Sequence, residues 1–106
     1  MRTVRPQAFP EEHLISEVRN IASFIRAART QSGLTLEEAA LATGVAKSTM
    51  QLIETNPAKV AFETIIYVAR EMGVSIFAFP AEQREVVRKL TQDLKSNLVA
   101  SRLHKP

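Results

Sequence analysis

The side chains with the clearest chemistry in this sequence are Lys47, Ser48 and Gln51, which can all hydrogen-bond the edges of DNA base pairs. Lysine donates to guanine O6 and N7 or to a phosphate, and serine and glutamine bond base edges in the major groove. Ala46 and Leu52, close by in sequence, can contact thymine methyl groups. These five residues are therefore predicted to read DNA bases, with a solvated or capping side chain as the alternative for each.

Three further residues, Thr35, Thr49 and Lys59, are candidates for contact with the DNA backbone. Hydroxyl and ammonium groups donate hydrogen bonds to phosphate oxygens. Such contacts position a protein on the duplex without reading its sequence. We expect them to support the base-reading residues.

The spacing of Ala40, Gly44, Val45, Met50 and Ile53 predicts two short helices joined by a tight turn. The small Ala40 lets the helices cross closely, and Gly44 can take the positive φ that the turn needs. The other three are spaced to pack the second helix inward, which leaves the candidate base-reading side chains outside. A helical hairpin that merely forms a core is the alternative.

Helices are also predicted on both sides of this pair. Apolar residues recur every three or four positions from Glu11, and Gly33 ends that first helix. Thr35, with Glu38 three residues later, forms a capping box that opens the next helix. Pro57 breaks the pattern before a fourth helix, and a terminal helix has its own apolar stripe. The first stripe comprises Leu14, Val18, Ile21, Ile25 and Ala28, and the terminal one Val87, Leu90, Leu94 and Leu98.

The segment 74–80 has the pattern of a short strand, because it is rich in β-branched and aromatic residues. No other part of the chain has a strand pattern, and an isolated strand would leave its backbone groups unpaired. We therefore expect it to pair with the same strand of a second subunit in a two-fold homodimer. The predicted dimerisation residues are Val74, Ile76, Phe77 and Phe79.

The predicted fold is mainly α, a five-helix domain with a short C-terminal strand that pairs across the homodimer, plus a C-terminal helix. Its parts are an N-terminal arm (1–12), a DNA-binding domain (13–73), a dimerisation strand (74–80) and a C-terminal helical extension (81–106).

Charge is concentrated at the two ends of the 106-residue chain. Residues 1–32 carry five Arg against three Glu, and residues 81–106 carry six basic against three acidic residues. The middle, residues 33–80, carries three basic residues against five Glu. A nucleic acid would be attracted mainly by the ends, although solvated helix faces have similar charge.

Other classes of protein are disfavoured by the sequence. It has no cysteine, no glycine-rich phosphate loop and no metal-ligand spacing, so no cofactor, metal or enzymatic activity is expected. His13 and His104 each stand alone in a peripheral segment. No apolar run approaches the ~20 residues of a membrane span, and no apolar segment near residue 1 resembles a signal peptide, so the expected location is the cytoplasm without membrane contact.

About half of the chain, "IRAARTQSGLTLEEAALATGVAKSTMQLIETNPAKVAFETIIYVAREMGVSI", resembles the Cro/cI-type (XRE) helix-turn-helix family. Within it the chain is most similar to HipB-type antitoxins, through "IETNP", "FETIIYVAREMGV" and the strand-like "SIFAF". The family implies a homodimer on palindromic operator DNA. The HipB type further implies strand pairing across the dimer and binding of a HipA-like kinase toxin, whole or split.

The resemblance implies that four residues read the operator, namely Ala46, Lys47, Ser48 and Gln51. It also implies an ion pair between Arg29 and Glu54, which would hold the domain together. The sequence departs from the family pattern at two positions. Leu36 stands where relatives often have a phosphate-binding glutamine, so that contact is in doubt. Ala46 replaces the usual serine or threonine cap, which weakens the helix start by about 1 kcal/mol.

Three functions follow as hypotheses. The first is an autoregulatory repressor that is the antitoxin of a HipA-like operon. The second is an interaction module that mainly binds a toxin or kinase, and the third is a stand-alone phage-type or metabolic repressor. A kinase-like neighbouring reading frame would favour the first over the third.

Overall fold

The computed structural model describes residues 3–103, with side chains described up to residue 93. His104 and the side chains of Leu94 and Leu98 therefore lie outside the described part. The mainly α character is confirmed: the described residues contain five helices. Four of them, not five, lie in the predicted DNA-binding domain, and the fifth is the C-terminal helix. The helices are α1 (Val18–Gln31), α2 (Leu36–Thr43), α3 (Lys47–Thr55), α4 (Phe62–Glu71) and α5 (Arg84–Leu103), with 3₁₀ turns at Pro57–Lys59 and Ala81–Gln83.

The chain divides into two compact units, Met1–Ile76 and Phe77–Pro106. The first unit contains α1 to α4, whose apolar faces form one core. The buried members of this core are Ile21, Ile25, Ala39, Ala40, Met50, Ile53, Ile65, Val68 and Ala69. The second unit contains α5 and the 3₁₀ turn before it.

The predicted strand at 74–80 is wrong, because residues 3–103 contain no β-strand. The Val74 N–H donates to the Ala69 carbonyl oxygen over 2.8 Å, so it closes the end of α4 instead of entering a ladder. The predicted dimerisation residues Val74, Ile76, Phe77 and Phe79 therefore form no strand. Within the second unit the Phe77 and Phe79 rings pack on each other at 5.8 Å between centroids. The composition of 74–80 fits a strand pattern, but a strand also needs a partner strand, and residues 3–103 contain none.

Helix α1 begins at Val18, seven residues later than the apolar periodicity predicts. The Asn20 side-chain oxygen accepts hydrogen bonds from the backbone N–H groups of Ser16 (3.2 Å) and Glu17 (2.9 Å). These bonds cap the helix, and Glu17 has the extended backbone of an N-cap residue. Leu14 therefore lies before the helix although it fits the stripe.

No helix of the described residues is both long enough and apolar enough to span a membrane.

Candidate nucleic-acid interface

Helices α2 and α3 form the predicted pair with its tight turn. Gly44 has φ +77°, and its N–H donates to the Ala40 carbonyl oxygen over 2.9 Å. The Val45 N–H donates to the same oxygen over 3.1 Å, which closes the turn. Ala40 itself is buried in the core, as a close helix crossing requires.

The capping box at the start of α2 is confirmed. Thr35 Oγ1 accepts from the Glu38 N–H over 3.1 Å, and Glu38 Oε1 accepts from the Thr35 N–H over 2.9 Å. The Thr35 oxygen is thus occupied as an acceptor, while its hydroxyl hydrogen can still be donated to a phosphate. Phosphate contact by Thr35 stays a prediction.

The inward face of α3 consists of Met50 and Ile53, which are fully buried, and Glu54. Lys47 and Gln51 are both exposed and, being one turn apart, lie next to each other on the helix surface. The structure brings all five predicted base-reading residues to this exposed side, which we call the reading face. Its members are Ala46, Lys47, Ser48, Gln51 and Leu52, all of them exposed, with Leu52 at 38% exposure.

The start of α3 lacks a side-chain cap. Ala46 occupies the N-cap position with extended backbone (φ −66°, ψ 148°) and has no group that could accept from the first turn. The first N–H groups of the helix therefore point outward beside Lys47 and Ser48 with no side-chain acceptor from the cap residue. Backbone donors and the positive end of the helix dipole both favour an anion such as a DNA phosphate.

The other phosphate candidates are spread around this face. Thr49 is half-buried in the first turn of α3, and Lys59 is exposed in the 3₁₀ turn that follows the helix. Within the described residues, neither Lys47 nor Lys59 forms an ion pair. Their charges are therefore not neutralised by a protein carboxylate and are available to DNA.

Arg29 and Glu54 meet between α1 and α3 in a two-pronged contact. Arg29 Nε donates to Glu54 Oε2 over 2.6 Å and Nη2 donates to Oε1 over 2.8 Å. The remaining arm of the guanidinium, Nη1, donates to the Leu34 carbonyl oxygen over 2.8 Å. The Glu54 side chain is 1% exposed and that of Arg29 11%. The Arg29–Glu54 pair therefore holds α3 against α1 and does not face DNA.

A third member of this ion pair was missed from the sequence. Arg26 Nε donates to Glu54 Oε1 over 3.1 Å, so two arginines share one carboxylate. Arg26 precedes Arg29 by three residues, a spacing that places both on one helix face, and this signal could have revealed it. The Tyr67 hydroxyl, which donates to the Thr43 carbonyl oxygen over 2.7 Å and ties α4 to the end of α2, was also missed.

Comparison with known proteins identifies the same segment. A family model described as helix-turn-helix matches residues 25–79, slightly more than half of the chain. No curated protein and no solved structure gives a significant match. The matched range runs from the middle of α1 past the end of α4 and contains the capped turn and the whole reading face. The chain therefore belongs to the Cro/cI-type (XRE) helix-turn-helix family of DNA-binding transcription regulators.

Proposed function

We propose that the chain is a sequence-specific repressor that places the start of α3 in the major groove of operator DNA. The observation that supports this most strongly is the division of α3 into a buried face and an exposed reading face. In helix-turn-helix proteins the N-terminal residues of the second helix contact base edges. On α3 those residues are Lys47 and Ser48, with Gln51 one turn further on.

The test is the double variant Lys47→Ala with Gln51→Ala. Each hydrogen-bonding side chain is expected to supply about 1–3 kcal/mol of base discrimination, so the pair should lower affinity by roughly 30-fold or more. Thermal stability should stay within about 0.5 kcal/mol of wild type, because both side chains are exposed. The measurement is a gel-shift titration on the duplex that the wild-type protein selects from a random-sequence library.

A matched control is available in α5. Lys89→Ala with Gln92→Ala removes the same two side-chain types from an exposed surface outside the matched segment. We expect this control to bind the selected duplex much more tightly than the α3 variant. Wild-type affinity in the α3 variant, or a wild-type protein that enriches no sequence, would refute the proposed function.

We further propose that the chain binds as a homodimer. One reading face has a single cation, Lys47, and the residues from 33 to 80 have more acidic than basic side chains. Two copies double both the phosphate contacts and the bases read, which specific binding at cellular salt needs. A dimer should select a duplex with two inverted half-sites about one helical turn or a multiple apart, whereas a single half-site would contradict it.

The antitoxin role and a HipA-like kinase partner stay predictions from the sequence resemblance. One of the three features behind that resemblance, the strand-like "SIFAF", forms no strand. The second hypothesis, a module that mainly binds a toxin, and the third, a stand-alone repressor, would use the same reading face when bound to DNA.

A further inference from the structure

The N-terminal arm is fastened to the last turn of α1. The Gln7 N–H donates to Thr30 Oγ1 over 2.9 Å, and Gln31 Nε2 donates to the Gln7 carbonyl oxygen over 2.8 Å. Thr30 is buried, and its own hydroxyl donates to the Arg26 carbonyl oxygen over 2.9 Å. Gln7 is therefore held by two hydrogen bonds, one to Thr30 and one from Gln31, both in the last turn of α1.

Ring contacts show the direction in which the arm runs. The rings of Phe9 and His13 lie 6.0 Å and 5.8 Å from the ring of Phe24, between centroids. Contacts thus move from the middle of α1 to its last turn as the chain is followed back from His13 to Gln7. From His13 to Gln7 the arm runs antiparallel to α1, a direction that leads residues 3–6 toward the end where α1 turns into α2.

That end of the first unit lies at the start of α2. Thr35, the N-cap of α2, follows Gln31 by four residues, and the bond from Arg29 to the Leu34 carbonyl oxygen holds the connection in place. In helix-turn-helix complexes the first helix of the motif crosses the DNA backbone, and helix N-termini commonly contact phosphates. The direction of the arm at Gln7 therefore leads residues 3–6 toward the expected path of the DNA backbone.

The start of α2 needs a cation from elsewhere if a phosphate is to lie there. Its first turn carries Glu37, which is exposed, forms no ion pair within the described residues and repels a phosphate. Arg5 is exposed, forms no ion pair within the described residues, and lies two residues, at most about 7 Å, from the fastened Gln7. A guanidinium in this position can bind a phosphate oxygen and offset the acidic turn.

We propose that the arm is a second DNA-contacting element, in which Arg5 binds a backbone phosphate beside the start of α2. This inference rests on the proposed function, because it needs α3 in the major groove. The arm adds no base reading of its own. It contributes a salt-sensitive contact outside the bases that α3 reads.

The test measures how operator affinity depends on salt, using the duplex selected by the wild-type protein. Arg5→Ala should reduce the slope of log K against log salt by about 0.9 for each bound subunit, the value for one phosphate contact on B-DNA. Arg5→Lys should keep most of the slope, since an ammonium also binds phosphate. Arg19→Ala is the control for total charge, because it removes an exposed arginine, here paired with Glu17 over 2.6 Å, from the opposite end of α1.

Two further measurements test whether Arg5 contacts one particular phosphate and whether the attachment of the arm places it there. Ethylation interference on the wild-type complex should reveal a phosphate whose modification weakens binding and which loses this effect in Arg5→Ala. Gln31→Ala removes one bond that fastens the arm and should reproduce part of the loss while Arg5 is still present.

The outcomes separate the two proposals. An unchanged salt slope and unchanged interference pattern in Arg5→Ala, with binding still lost in the α3 double variant, would overturn the arm contact and leave the proposed function standing. A reduction of equal size in Arg19→Ala would also overturn it, because the effect would then be one of total charge. Failure of the wild-type protein to select any DNA would overturn both.

Discussion

Replacing Glu54 with alanine is expected to destabilise the first unit by about 3–5 kcal/mol, as found when one partner of a buried ion pair is removed. Arg29 would remain in a largely buried position, with its Nε and Nη2 groups deprived of their carboxylate. Its remaining bond, to the Leu34 carbonyl oxygen, does not neutralise the charge. Urea unfolding followed by circular dichroism would measure the loss, and a value below about 1 kcal/mol would contradict the prediction.

The control for this experiment removes the buried charge together with its partner. Arg29→Met with Glu54→Met should cost much less than Glu54→Ala, because apolar side chains of similar length can fill the site without an unpaired ion. Arg26, the second donor to Glu54, is 38% exposed and can turn its guanidinium to solvent. If the double variant is as unstable as the single one, shape rather than charge holds α3 against α1.

Most of the α2–α3 pair could be predicted from the sequence, because the sequence signals for it are local. The Thr35–Glu38 box, the turn at Gly44 and the inward direction of Met50 and Ile53 each depend on residues within about one helical turn of one another. Spacing along the chain determines such features directly. This is also why the five candidate base-reading residues could be named from sequence and are found together on one side of α3.

Two predictions were wrong, the start of α1 and the strand at 74–80. In each, a local sequence pattern competed with specific hydrogen bonds. The apolar periodicity predicts that α1 begins at Glu11, but the Asn20 side chain caps the helix at Glu17. The run from Val74 had a strand composition, but the Val74 N–H completes the end of α4. In both cases hydrogen bonds at a helix end, which apolar composition does not encode, fix where the helix begins or ends.

The attachment of the arm could not be predicted for a different reason. Gln7 and Thr30 are 23 residues apart, and neither belongs to a motif whose spacing would indicate that they meet. Phe9 and Phe24, whose rings are in contact, are also distant in sequence, at 15 residues apart. Contacts of this kind follow from how the whole chain packs, so they became visible only in the structure.

Truncating Ile53 to alanine is expected to destabilise the first unit by about 2–5 kcal/mol, the usual range for removing a buried isoleucine side chain. Ile53 is fully buried on the inward face of α3, within the core that α1, α2 and α4 share. The cavity would lie directly beneath the reading face. We therefore expect DNA affinity to fall as well, because α3 would be held less rigidly even at temperatures where the variant is folded.

Leu41→Ala is the matched control, since it removes the same number of carbon atoms from α2, the other helix of the motif, where the side chain is 80% exposed. Its unfolding free energy should stay within about 0.5 kcal/mol of wild type. The comparison decides whether α3 is held by its buried face. If Ile53→Ala and Leu41→Ala destabilise the protein equally, the buried face does not determine the position of α3, and the outward direction assigned to Lys47 and Gln51 loses its structural basis.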